Sequence, residues 1–129
     1  MPRVVHFEIP AKDTAKIISF YREVFGWEFN KWEGPQPYWL VMTGEDGTPG
    51  INGGLYTPAD EFADGYSGIV NTIDVPDLDA SLSKVKANGG QVTMDKMPIP
   101  GVGWLAYCKD VEGTIFGMMQ SDPAAGAEK

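Results

Sequence analysis

Val4-Val5-His6-Phe7-Glu8-Ile9, closed by Pro10 and followed by a helix signal at Asp13, decides the fold, because its pattern returns once along the chain. Sixty-four residues downstream, Ile69-Val70-Asn71-Thr72-Ile73-Asp74-Val75 is closed by Pro76 and followed by a second helix signal at Asp77. The same offset maps Ile9 onto Ile73, Ala11 onto Val75, Asp13 onto Asp77, Ile18 onto Leu82, Tyr21 onto Val85 and Gly26 onto Gly90. Apolar and punctuating positions agree, so the chain reads as a duplicated strand–helix–strands unit. Each copy has a sheet face and a helix stripe to bury, and the cleft between the two sheets is the natural place for a ligand.

Within the first copy a strand over Arg3–Ile9 places Phe7, Ile9 and Ala11 on one face and His6 and Glu8 on the other, as a period of two requires. Asp13 suits an N-cap, and Ile17, Ile18, Tyr21, Val24 and Phe25 recur at helical spacing, which predicts a helix over Thr14–Val24 stopped by Gly26. Strands are expected over 27–32, 38–43 and 51–57, separated by Gly34-Pro35 and by the loop Gly44–Gly50. The second copy repeats the order, with strands over 69–75, 91–94, 102–108 and 114–120 and a helix over 78–88 that buries Leu78, Leu82 and Val85. A single α+β domain over 1–129 follows: a βαβββ module at 3–57, a linker at 58–67, a second βαβββ module at 68–120 and a frayed tail at 121–129.

Composition narrows the function. The 129 residues carry ten basic and eighteen acidic side chains, a net charge of −8 with no run of Lys or Arg, so nucleic acid is not an expected partner. Cationic or neutral small molecules stay open. No apolar run approaches the roughly 18 residues of a membrane span, and no basic-then-apolar leader opens the chain, so a cytoplasmic protein without membrane contact is expected. Cys108 is the only cysteine, which rules out an intrachain disulfide; inside Trp104-Leu105-Ala106-Tyr107-Cys108 it reads as a small packed side chain. The glycine-rich spots lack the Lys-Ser/Thr of a phosphate loop, and one histidine leaves no convincing Ser-His-Asp set.

The order of elements, the HFEIP…D…FYREVFGW opening over residues 6–27 and the DVEGTIFGMMQ ending over 110–120 resemble the vicinal oxygen chelate superfamily of glyoxalases, bleomycin-resistance proteins and ring-cleaving dioxygenases. More narrowly, the chain looks like bacterial glyoxalase-like proteins described as related to lactoylglutathione lyase. The resemblance covers about residues 3–120. It implies paired βαβββ modules in a curved mixed sheet with helices outside, commonly as homodimers. It also implies a divalent metal held by one side chain from the first and one from the last strand of each module. His6 stands at the first such position, whereas Val70 stands at its equivalent, Gly53 or Gly54 at the third and Gly117 at the fourth.

Three of four ligands are therefore missing, and a lone imidazole does not fix a divalent ion against water. No metal or other cofactor is expected. Glu8, on the same face as His6, could add an oxygen, so a weak rebuilt divalent site stays open beside that expectation. Loss of ligands would leave a pocket rimmed by His6, Glu8, Thr72 and Asp74 and by the aromatics Trp39, Trp104 and Tyr107, although ordinary core packing is the stronger reading for each aromatic. Three functions stay open on these residues. One is a metal-independent small-molecule binding protein; another is a lyase- or isomerase-type enzyme with His6 or Glu8 as general base; the third is a protein interaction module.

Overall fold

The structure, a computed structural model, describes residues 2–34, 37–57 and 68–126. Among them eight strands and two helices follow the order β1 (Arg3–Pro10), α1 (Thr14–Phe25), β2 (Glu28–Lys31), β3 (Tyr38–Met42), β4 (Gly53–Tyr56), β5 (Val70–Asp74), α2 (Leu78–Ala87), β6 (Gln91–Ile99), β7 (Gly103–Lys109) and β8 (Ile115–Ser121). This is the expected mixed α+β arrangement of two βαβββ modules. They separate into two compact units, one holding residues 6–70 and the other residue 71 onward together with those before His6. Pro35 and the linker expected over 58–67 lie outside the described residues.

In the first unit β1 runs parallel to β4, while β3 pairs antiparallel with β4 and with β2. The Asp13 carboxylate accepts the Lys16 N–H at 3.1 Å and starts α1; Gly26, left-handed at φ 73°, ends it by donating its N–H to the Arg22 carbonyl. The core gathers Ile9, Ala11, Ile18, Phe29, Val41 and Leu55, with Phe7, Tyr21, Trp27 and Trp39 packed against it. Helical periodicity over-reached at the end of α1. Val24 and Phe25 are 55% and 59% exposed, and in the last turn the Phe25 ring lies against Tyr21 and Trp27 at centroid distances of 6.1 and 5.4 Å.

In the second unit β5 runs parallel to β8, and β7 pairs antiparallel with β8 and β6. Asp77 caps α2 by accepting the Ala80 N–H, and the Gln120 side chain reaches from β8 to accept the Leu78 N–H at 2.8 Å. Val75, Leu78, Leu82, Ala106, Cys108 and Met118 form the core. Burial there pushes the Cys108 thiol up, which leaves it a packed, unreactive side chain.

Two expectations for this unit are corrected. β6 continues to Ile99 instead of stopping at Met94, because its register against β7 shifts between Val92 and Met94 and again between Met94 and Met97, and such bulges break the alternation that marks a strand in sequence. Pro98 is tolerated because β6 pairs only with β7 in this unit, leaving its other edge without a ladder bond to lose. Nor is the tail frayed over 121–126. Ser121 belongs to β8; Asp122 accepts the Trp104 indole N–H and the Ala124 N–H, Ala125 accepts from the Gly101 N–H, and Ala125 is buried. Among the described residues no helix is long and apolar enough to cross a membrane.

Candidate functional site

The alternation of β1 sends Phe7 and Ile9 to the core and leaves His6 and Glu8 on the opposite face. Parallel pairing sets Glu8 beside Gly54 and Phe7 beside Gly53. Residues paired in this way project to the same side of the sheet, so Gly54 is the glycine that shares the polar face. A Cβ on Gly53 would instead meet the Phe7 carbonyl and ring. Tyr38 on β3 pairs with Tyr56, two residues along β4 from Gly54. Its ring crosses β4 diagonally, and a Cβ on Gly54 would run into the phenol hydroxyl.

The missing side chain at 54 is thus what allows Tyr38 to reach β1. Its hydroxyl donates to Glu8 Oε2 at 3.0 Å and lies 2.9 Å from His6 Nε2, with 3.9 Å between Nε2 and Oε2. A phenol has one proton, so with that proton on Glu8 its oxygen accepts from His6, which places a hydrogen on Nε2. Trp32 stands edge-on to the Tyr38 ring at 6.0 Å and helps hold it in place.

Burial lowers the His6 pKa from its ordinary value, and the attraction of Glu8, acting the other way, does not offset it; the imidazole is neutral at pH 7. Burial, the Glu8 charge and the hydrogen bond to it all push the Tyr38 phenol far up, so it remains protonated. Tyr38 was not among the residues that sequence reasoning singled out. The available signal was the Gly53-Gly54 pair in a strand whose neighbour carries a tyrosine.

A related arrangement recurs in the second unit. Thr72, 3% exposed, pairs with Gly117 on one side and Tyr107 pairs with it on the other. A Cβ on Gly117 would sit 3.1 Å from Tyr107 Cε1 and 3.2 Å from Thr72 Oγ1. The remaining candidates have other surroundings. Trp39 packs on the first core; Trp104 packs on the second, donates to Asp122 and takes Lys96 Nζ over its ring at 5.2 Å. Asp74 is exposed and lines a recess of about 320 Å³ with Val75, Pro76, Gln120 and Ser121. A recess of about 120 Å³ lies within the β3–β4 loop, from Thr43 to Asn52. Neither recess is lined by His6 or Glu8.

Residues 3–116 match the model of the Glyoxalase/Bleomycin resistance protein/Dioxygenase superfamily. The chain belongs to this superfamily. It is 28% identical over 127 residues to the "Putative glyoxylase CFP32" of Mycobacterium bovis and of Mycobacterium tuberculosis, a match covering 93% of this chain and 46% of each relative, so the chain spans about half the length of these curated relatives. Among solved structures, hypothetical protein BH1468 from Bacillus halodurans superposes with a TM-score of 0.70 at 19% identity, over 99% of both chains. Methylmalonyl-CoA epimerase from Mycobacterium tuberculosis gives 0.69 at 18% identity, over 93% of this chain and 88% of that one. At such identities the two structures establish a shared fold.

A divalent metal implied by the superfamily finds no matching donor set here. Among the described residues no group of three His, Cys, Asp or Glu side chains could hold an ion. His6 and Glu8 are already bridged by a protonated phenol, and Gly54, Val70 and Gly117 offer no donor. The space into which a side chain at 54 would grow is filled by Tyr38.

Proposed function

We propose that this superfamily member binds a small organic molecule without a metal ion, and that His6, Glu8 and Tyr38 orient it. The observation that supports this reading is the phenol bridging His6 and Glu8 across Gly54. Tyr38 links an imidazole and a carboxylate into one polar array where the superfamily's chemistry would call for an ion. In this reading the chain sequesters its ligand in the cytoplasm.

A second reading, an enzyme of lyase or isomerase type, draws on the neutral imidazole. Burial keeps His6 uncharged at pH 7, the state a general base requires, and Glu8 is a second candidate base. Turnover of a bound compound would favour the enzyme, and binding without turnover would favour sequestration.

Elemental analysis of protein purified without chelator should find no stoichiometric Zn, Ni, Mn, Fe or Mg. One ion per chain, lost in His6→Ala, would overturn the metal-free reading. A ligand at a hundredfold excess over its Kd should add about 2.7 kcal/mol and raise the melting temperature by roughly 6 to 15 °C. If no small aromatic, cationic or dicarbonyl compound produces such a shift, the interaction module is the reading that remains.

We also propose a homodimer, supported by the superfamily resemblance and by the exposed Phe20, Val24 and Phe25 of α1. Light scattering at micromolar concentration is expected to give twice the mass of one chain; the mass of one chain would refute it.

A further inference from the structure

The outer face of α1 leaves an apolar stripe in water. Phe20 and Val24 lie one turn apart on the same side of the helix and are 56% and 55% exposed, whereas Ile18 on the opposite side is buried. The Phe20 ring rests edge-on against Tyr21 at a centroid distance of 5.2 Å, which holds it in place. Lys16, one turn before Phe20, and Glu23, beside Val24, complete the stripe. Both are exposed, and among the described residues neither belongs to an ion pair.

These two charges are set against their own helix. Lys16 stands in the first turn of α1, near the positive end of the backbone dipole, and Glu23 in the last turn, near the negative end. α2 has the favourable arrangement, with Asp79 in its first turn and Lys84 and Lys86 in its last. A second helix running the other way offsets the misplacement in α1. Lys16 and Glu23 are two turns apart with Phe20 between them, so the same face turned end for end sets each Lys16 against a Glu23 and Phe20 against Phe20. A parallel copy would set like charge against like.

We propose that α1 is the homodimer interface, packed antiparallel on α1 of a second copy about a two-fold axis near Phe20, with Lys16 of each chain paired to the partner's Glu23. The inference rests on the homodimer reading above and adds its surface, orientation and pairing. Charge balance favours the same face. Residues 13–25 carry two acids and two bases, so the net charge of −8 lies wholly elsewhere, and two copies can meet here without acid repelling acid.

Sedimentation velocity across micromolar concentrations reads the dimer constant. Lys16→Glu and Glu23→Lys should each weaken the dimer by about tenfold or more, because two pairs turn from attraction to repulsion at once. Mixing the two variants should restore association as a heterodimer, since the first is acidic at both positions and the second basic at both. Neither change threatens the fold, because an acid in the first turn and a base in the last suit the helix dipole. Phe20→Ala, which empties the centre of the interface from both sides, should also weaken the dimer by about tenfold or more. Arg22→Glu makes the same charge change as Lys16→Glu on the opposite side of α1 and should alter the constant by less than about twofold.

A wild-type dimer whose constant is unmoved by Lys16→Glu, Glu23→Lys and Phe20→Ala would overturn this interface and leave the homodimer on another surface. Weakening by Arg22→Glu as large as that by Lys16→Glu, or single variants that do not recover on mixing, would overturn the antiparallel pairing, because overall charge would then suffice. A wild-type chain that sediments as a single chain throughout would refute the homodimer and this interface with it.

Discussion

Gly54→Ala is expected to destabilise the chain by about 2–4 kcal/mol and to lower its melting temperature by roughly 6 to 20 °C, although it adds a single methyl group. The backbone at 54 is not in the left-handed region, so the effect is not one of conformational freedom. It is steric. The new Cβ would occupy the position of the Tyr38 hydroxyl, and β4 cannot shift away because Gly54 is paired with Glu8 on one side and Leu40 on the other. The phenol must therefore leave, and two hydrogen bonds in a partly buried place go with it, each worth about 1–3 kcal/mol when the partner is left unsatisfied. A double-mutant cycle with Tyr38→Ala tests this coupling. The double variant should be less destabilised than the sum of the singles by at least about 1 kcal/mol. A Gly54→Ala chain within about 0.5 kcal/mol of wild type would refute the proposed geometry.

Leu55→Ala, one residue along and on the opposite face, should cost about 2–5 kcal/mol for a different reason. Leu55 is fully buried and is flanked in the sheet by Ile9 on β1 and Trp39 on β3. Truncation removes apolar burial and opens a cavity among neighbours held by the sheet ladder. In urea the midpoint should fall while the slope stays unchanged, which marks lost stability without a change in the surface exposed on unfolding. Ligand affinity per folded molecule should persist, since His6, Glu8 and Tyr38 lie on the other face. A loss below about 1 kcal/mol would mean that the core around Leu55 collapses onto the vacated space.

The face of β1 carrying His6 and Glu8 is legible in the sequence because strand alternation is a local rule, and Asp13 and Asp77 are legible as caps for the same reason. The two modules are legible because their patterns repeat. Tyr38 was not, since its role depends on a ring crossing a neighbouring strand over a residue that lacks a side chain. No spacing within one strand records that. The choice between Gly53 and Gly54 likewise needed the register of β1 against β4, which strands distant in sequence set together. Trp39 and Trp104 were ambiguous because a large aromatic at an alternating position looks the same whether it faces a core or a pocket. The end of β6 was misread where bulges interrupt the period on which any strand reading depends.

The fit of Tyr38 over Gly54 also bears on descent. A mutation placing a carboxylate at 54 while the tyrosine is present creates a collision, and a mutation removing the tyrosine first leaves His6 and Glu8 without their bridge and a gap above the strand. Either single step crosses a less stable intermediate, so the Tyr38–Gly54 pair cannot be exchanged for a carboxylate at 54 one neutral substitution at a time. At Gly117 the fit is looser: a Cβ there would meet Tyr107 and Thr72 at 3.1–3.4 Å, so these neighbours would have to give by only a few tenths of an ångström. Sequences on this branch should therefore change at 38 and 54 together, and a homologue with an acidic residue at 54 should be found with a small residue at 38.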